Sequence, residues 1–172
     1  MSRIAGSSGE IRIREWRRRW VPVGSTLAAS LLALWPVVTI GTPLVPEIAL
    51  LVVIAWRLLR PEIWPAYMAL GLGLFNDLVI GHPLGQSMAI WTAIFLLCDY
   101  IDSRLGFRDY WMDWLIAAAA IALHSAASWY IASVMGGAMH FSVMLPQMGV
   151  SVLVYPLVAR LVLGLDRLRL SR

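Results

Sequence analysis

The segment GLFNDLVIGHPLG, residues 73–85, sets one carboxylate, Asp77, inside an apolar run that stops at Gly81, His82 and Pro83. Ala69, Gly73, Asp77 and Gly81 recur every four residues, so a helix places them in one slowly drifting stripe. Small side chains in a stripe admit the backbone of a neighbouring helix, and an acid in the same seam accepts hydrogen bonds from that neighbour. The spacing therefore predicts that Asp77 faces protein. Beyond it, Gly81 and Gly85 tolerate backbone angles closed to other residues, and Pro83 stiffens the turn between them. The segment reads as a helix end, a tight reversal and the start of a second helix, whose first amides lack partners within their own helix and are stabilised by a nearby carboxylate. Three readings of Asp77 stand open at this level: a group reaching to the surface, an acceptor for backbone amides, and a proton-carrying or catalytic acid.

The surrounding chain is apolar enough to set the class. Of its 172 residues 60% are hydrophobic and 14% are charged, with a mean hydropathy of +0.74, whereas a soluble domain carries about a quarter charged residues. This predicts an all-α, polytopic integral membrane protein. Six segments read as membrane helices forming one compact bundle, roughly 21–40, 44–59, 63–80, 84–101, 111–135 and 140–164. The second is short, because sixteen residues at about 1.5 Å each fall below the roughly 30 Å hydrocarbon core. An arginine-rich tail over 1–20, a membrane domain over 21–165 and a short basic tail over 166–172 complete the division. The first segment is expected to be a retained helix rather than a removed signal peptide.

Orientation follows from the cations, all 14 of which are arginine. With both termini cytoplasmic, every arginine falls in the tails, at the inner end of the sixth segment (Arg160) or in the connections near residues 57–60 and 104–108, and none falls in the outer turns near 41–43, 81–83 and 136–139. Trp16, Trp20, Trp56, Trp64, Trp111 and Trp114 fall at the same predicted inner face, where an amphipathic ring is favoured. Cations placed beside hydrophobic segments speak for a bilayer partner and against nucleic acid.

Other polar residues lie within the predicted spans. Glu47 shares the outer depth of Asp77, and contact between the two would make a carboxylate pair. Ala118, Ala122 and Ala126 form a second small-residue stripe, near which lie His124, Ser125 and Ser128; Gln147 and Ser151 are four apart in the sixth segment. They read as interhelical hydrogen bonds or, alternatively, as a polar pocket built from Glu47, His124, Ser128, Gln147 and Ser151. His82, His124 and His140 show no metal-ligand spacing, the single Cys98 offers none, and no phosphate-binding glycine loop or GxSxG turn is present, so no cofactor is expected. Asp102, Arg104 and Arg108, with Asp99, Asp109 and Asp113 nearby, form the best cytoplasmic docking candidate.

On Gly73, Asp77, Leu78, Gly81, Pro83, Leu84 and Gly85, together with length and six predicted helices, the chain resembles the MreD family of bacterial rod-shape-determining membrane proteins. Gln86 and Ser87, directly after this pattern, and the long arginine-rich front depart from the family. The resemblance implies a non-enzymatic inner-membrane component of the cell-elongation machinery. Its partners would be the single-span protein MreC and, through it, the MreB cytoskeleton, RodA and the penicillin-binding synthases of peptidoglycan. Two other classes compete: a small-molecule carrier resembling the substrate-binding subunits of vitamin uptake systems, with a pocket at Glu47, His124 and Gln147, and a membrane hydrolase or transferase acting on a lipid-linked precursor, using Asp77 with His82.

Overall fold

A computed structural model of the protein describes residues 8–34, 45–104, 109–136 and 140–170, with side chains described from residue 20 to residue 169 within those ranges. All regular structure among them is helical: α1 Ser8–Leu32, α2 Ile48–Leu59, α3 Ala66–Ile80, α4 Gln86–Arg104, α5 Tyr110–Val134 and α6 Leu145–Leu170, with single 3₁₀ turns at Pro61–Ile63 and Phe141–Val143. Two stretches, Tyr110–Val134 and Phe141–Arg169, are long and apolar enough to cross a membrane, while Trp20–Leu32, Ile48–Leu59 and Ala66–Ile80 are apolar but shorter.

The helix that organises the bundle is the shortest. Packed against α1, α4, α5 and α6, α2 buries nearly its whole length, from Ala49 to Leu58, around the fully enclosed Leu51 and Trp56. A helix surrounded on every side carries no polar stripe, which is why IALLVVIAWRLL shows none. Around it, α3 and α4 form an antiparallel hairpin, α1 lies across α2 and α3, and α5 and α6 close the other side.

The observed boundaries move several expectations. α1 begins at Ser8, so the arginine-rich stretch and the first apolar segment are one helix that passes through Pro22; the remainder of the expected first segment, residues 35–40, lies outside the described residues. α6 starts later than expected and runs on to Leu170, carrying Asp166 and Arg169 into the bundle as buried side chains. Trp56 and Trp64, expected at a lipid boundary, are 0% and 2% exposed. Trp56 donates its indole N–H to Ser25 Oγ at 2.8 Å, and Trp64 packs edge-on against Phe95. Trp20 and Trp111 do lie on the surface. The inward face of α5 is Ala117, Ala120, Ile121 and His124, whereas Ala118 and Ala122 are half-buried and Ala126 is exposed. Alanines fill both faces of this helix, so their spacing alone could not pick the packed one.

Charge is concentrated at one end of the bundle, where α2, α4 and α6 finish. A buried guanidinium is tolerated only against carboxylates, and Arg57, 1% exposed, pairs with Asp99 and with Asp102, the latter at 3.1 Å, while lying over the Phe95 ring. Arg60 donates from Nε and Nη2 to Asp166 Oδ2 at 3.1 and 2.8 Å, and this hydrogen bond raises its already high proton affinity. Arg169 reaches the other Asp166 oxygen at 3.1 Å. Arg57 and Arg60 therefore tie the end of α2 to α4 and α6 rather than standing in solvated connections, and Arg169 braces Asp166 within α6.

At the opposite end the α3–α4 hairpin closes on Gly73. A Cβ added there would lie 2.6 Å from both the N and the Cα of Met88 and 2.8 Å from the carbonyl carbon of Ser87, all backbone atoms with no rotamer to yield. Gly73→Ala is expected to force the two helices apart and lower stability by about 1–3 kcal/mol. Gly71→Ala, at a site with nothing within 4 Å, is expected to be neutral or slightly stabilising. Thermal unfolding of the two purified variants, followed by tryptophan fluorescence, checks the difference.

Candidate functional site

The turn between α3 and α4 is held from both sides by Asp77. Its backbone carbonyl accepts from Gly81 N at 2.9 Å and ends α3, with Gly81 in the left-handed region at φ 81°. Its carboxylate, 1% exposed, accepts from Gly85 N at 3.0 Å through Oδ2 and from Ser87 N at 2.9 and 3.1 Å through Oδ1 and Oδ2. Gly85, at φ 94°, supplies the second left-handed residue of the reversal. The amides that open α4 have no partner inside their own helix, so an anion placed against them is stabilised by two N–H groups and by the helix dipole together. Of the three readings open for this acid, the geometry is that of the backbone acceptor.

A neutral chain of hydrogen bonds runs beside it. Ser30 on α1 donates to Asn76 Oδ1 at 3.0 Å, and Asn76 Nδ2 donates to Ser87 Oγ at 3.2 Å; all three side chains are buried. The amide of Asn76 thus joins α1 to α4 through α3. Asn76 and Ser30 were not singled out in the sequence, although an amide in the helical turn before Gly81 and the Thr26/Ser30 spacing on α1 were both visible there. Ser87, a departure from the MreD pattern, belongs to this chain of contacts through its hydroxyl and to Asp77 through its amide.

The second polar cluster lies at the same end of the molecule. Glu47 stands just before α2, but its carboxylate makes no capping bond there; instead Oε2 lies 2.6 Å from Nε2 of His124, a residue of α5 that is 1% exposed. Ser128, one turn further along α5, lies 3.5 Å from the same ring nitrogen and accepts from Gln86 Nε2 of α4 at 3.1 Å. Three helices therefore meet through side chains at one place. A cavity of ≈ 510 Å³ opens beside them, lined by Glu47, Gln86, Ser128 and Gln147 together with His82, Pro83 and the apolar Ala132, Met135 and Met144. A smaller one of ≈ 180 Å³ shares Glu47, His82 and Gln147 and continues along Asn76 and Trp91.

The structure thus brings together Glu47, His124 and Ser128, sets Gln147 on the cavity wall, and leaves Ser151 elsewhere, buried on α6 and lining neither cavity. Glu47 and Asp77 have separate partners and do not form a carboxylate pair. His82 lines both cavities, but Asp77 lines neither. Among the seven residues of the turn pattern, Gly73, Asp77, Gly81 and Gly85 shape the hairpin, whereas Leu78 and Leu84 are 65% and 73% exposed and Pro83 faces the larger cavity. At the other end Asp102 is engaged by Arg57, Arg104 lies over its own neighbour Tyr100 at 5.5 Å, and Arg108 lies outside the described residues. Among the described residues no group of three or more His, Cys, Asp or Glu side chains is placed to hold a metal.

Removing the Asp77 carboxylate strands two buried amides, each costing about 1–3 kcal/mol. Asp77→Ala is expected to destabilise the protein by roughly 2–4 kcal/mol. Asp77→Asn, which keeps one acceptor oxygen but turns an N–H₂ towards the second amide, should fall between Asp77→Ala and the parent chain. The unfolding midpoints of the three proteins give the order; an unchanged midpoint in Asp77→Ala would contradict this assignment. Compared with protein-family models, curated proteins and solved structures, the chain matches none of them.

Proposed function

We propose that the chain is a multi-pass protein of the bacterial inner membrane, six-helical with both termini cytoplasmic, that works without catalysis as a scaffold of the MreD type. In this reading it binds an MreC-like single-span protein through exposed helix faces and connects, through it, to the MreB cytoskeleton, RodA and the penicillin-binding synthases that build peptidoglycan during cell elongation.

The observation that carries this reading is the division of labour within residues 73–85. Gly73 and Asp77 are turned inward and committed to the α3–α4 hairpin, while Leu78 and Leu84 are large, apolar and exposed near its tip. An acid whose two oxygens both hold backbone amides is not available as a reagent, so the tip of the hairpin offers contact surface rather than chemistry. Support for a membrane setting comes from α5 and α6: the most apolar window of each is only 22% buried, so these helices turn apolar surface outward instead of into a water-excluding core. The resemblance to MreD adds the identity of the partner.

One observation favours the carrier reading instead, namely the cavity beside Glu47. Carrier and scaffold differ in what must move: a carrier releases a ligand to the far side, and a scaffold does not.

Burying a leucine at an interface stabilises it by roughly 1.5–3 kcal/mol. The double variant Leu78→Ala/Leu84→Ala, which touches no internal contact named above, is therefore expected to keep the parent unfolding midpoint and to lose at least tenfold in capture of a single-span partner. Affinity purification from solubilised bacterial membranes, with mass spectrometry of the captured proteins, makes the measurement. Undiminished capture by the double variant, or capture of no single-span protein by the parent chain, would defeat the proposal.

A further inference from the structure

The cavity walls define the class of molecule that fits them. Glu47 is the only acidic or arginine side chain among the described residues lining either cavity, and its side chain is 32% exposed. Oε2 of that carboxylate lies 2.6 Å from Nε2 of His124, which fixes its direction, and the side chain lines the cavity.

The rest of the lining sets the polar groups of His82, Asn76, Gln86, Ser128 and Gln147 among apolar side chains. Ser128 and the amide of Gln147 offer oxygens, and Gln147 makes no side-chain hydrogen bond among the described residues. Ala132, Met135 and Met144 form one apolar wall, and Trp91 with Ile80 extends it into the smaller cavity. An anionic ligand would meet a carboxylate here with no guanidinium to hold it, because the arginine pairs lie at the opposite end of the bundle. An ammonium carries three donors and one positive charge, which complements a fixed carboxylate flanked by amide and hydroxyl oxygens.

We infer that the paired cavities form a binding site for a small primary amine with an apolar body, its ammonium held by Glu47 and Gln147 and its body against Met135, Met144 and Trp91. The inference rests on the cavity and needs neither a scaffold partner nor transport.

The test uses the full chain in lipid nanodiscs, with n-butylammonium, n-butanol and n-butyrate as probes of one size and three charges, and empty nanodiscs subtracted, at neutral pH by ligand-observed NMR titration. Butylammonium is expected to bind at least tenfold more tightly than butanol, with butyrate weakest. Glu47→Gln retains an oxygen to accept from His124 and removes only the charge; it is expected to weaken butylammonium at least tenfold and leave butanol within twofold. Gln147→Arg leaves the Glu47–His124 pair untouched and brings a guanidinium to the carboxylate; it is expected to abolish amine binding and to admit butyrate, at an unchanged unfolding midpoint. Equal binding of butyrate and butylammonium by the parent chain, amine binding by Glu47→Gln within twofold of the parent, or binding of none of the probes would overturn the inference. Partner capture by the same Glu47→Gln protein is expected to be normal, so failure here and failure of the scaffold reading are read on different instruments.

Discussion

A single carboxylate against two backbone amides fixes the geometry on which this end of the molecule depends. Asp77 ends α3 with its carbonyl and starts α4 with its side chain, so this residue holds the reversal that the left-handed Gly81 and Gly85 permit. Once that turn is set, Gly73 brings the two backbones into direct contact at Met88. The amide of Asn76 then ties the pair to α1. Hairpin, close approach and lateral link are successive consequences of one charge-assisted contact in a place from which water is excluded.

The opposite end is secured by a different arrangement with the same logic. Arg57, Arg60 and Arg169 would each be costly to bury alone, and each is matched by aspartates from another helix or the next turn. The central α2 is consequently apolar in its middle and charged only where it finishes, with Trp56 completing the packing under Arg169. Beside the α3–α4 turn the bundle retains a gap at Glu47 that neither set of interactions fills. Polar residues are thus sorted by role: Asp77 and Asp166 are enclosed with structural partners, whereas the partly exposed Glu47 faces a cavity.

Much of this was legible in the chain. The four-residue stripe of Ala69, Gly73 and Asp77 announced the seam, and the Gly81–Gly85 segment announced the reversal and the need for an acceptor, because helix starts always leave amides free. The all-helical class followed from composition. What was not legible depended on which residues meet across helices. Arg57 and Trp56 looked like boundary residues because sequence position gives depth but not enclosure, and only the surrounding helices show that α2 lies at the centre. The alanines of α5 hid its packed face, since a run of one small residue carries no periodic contrast. Asn76 stood in plain view, yet an amide in an apolar run declares neither its partners nor its direction.

The most direct test of the Asp77 assignment is amide hydrogen exchange at single-residue resolution for the α3–α4 turn, comparing the parent chain with Asp77→Ala under conditions where both remain folded. The account predicts that Gly85 and Ser87 are protected in the parent and exchange at least tenfold faster in the variant, while the amides of α5 and α6 do not change. Fast exchange at Gly85 and Ser87 in the parent chain, or protection there that the variant leaves intact, would contradict it.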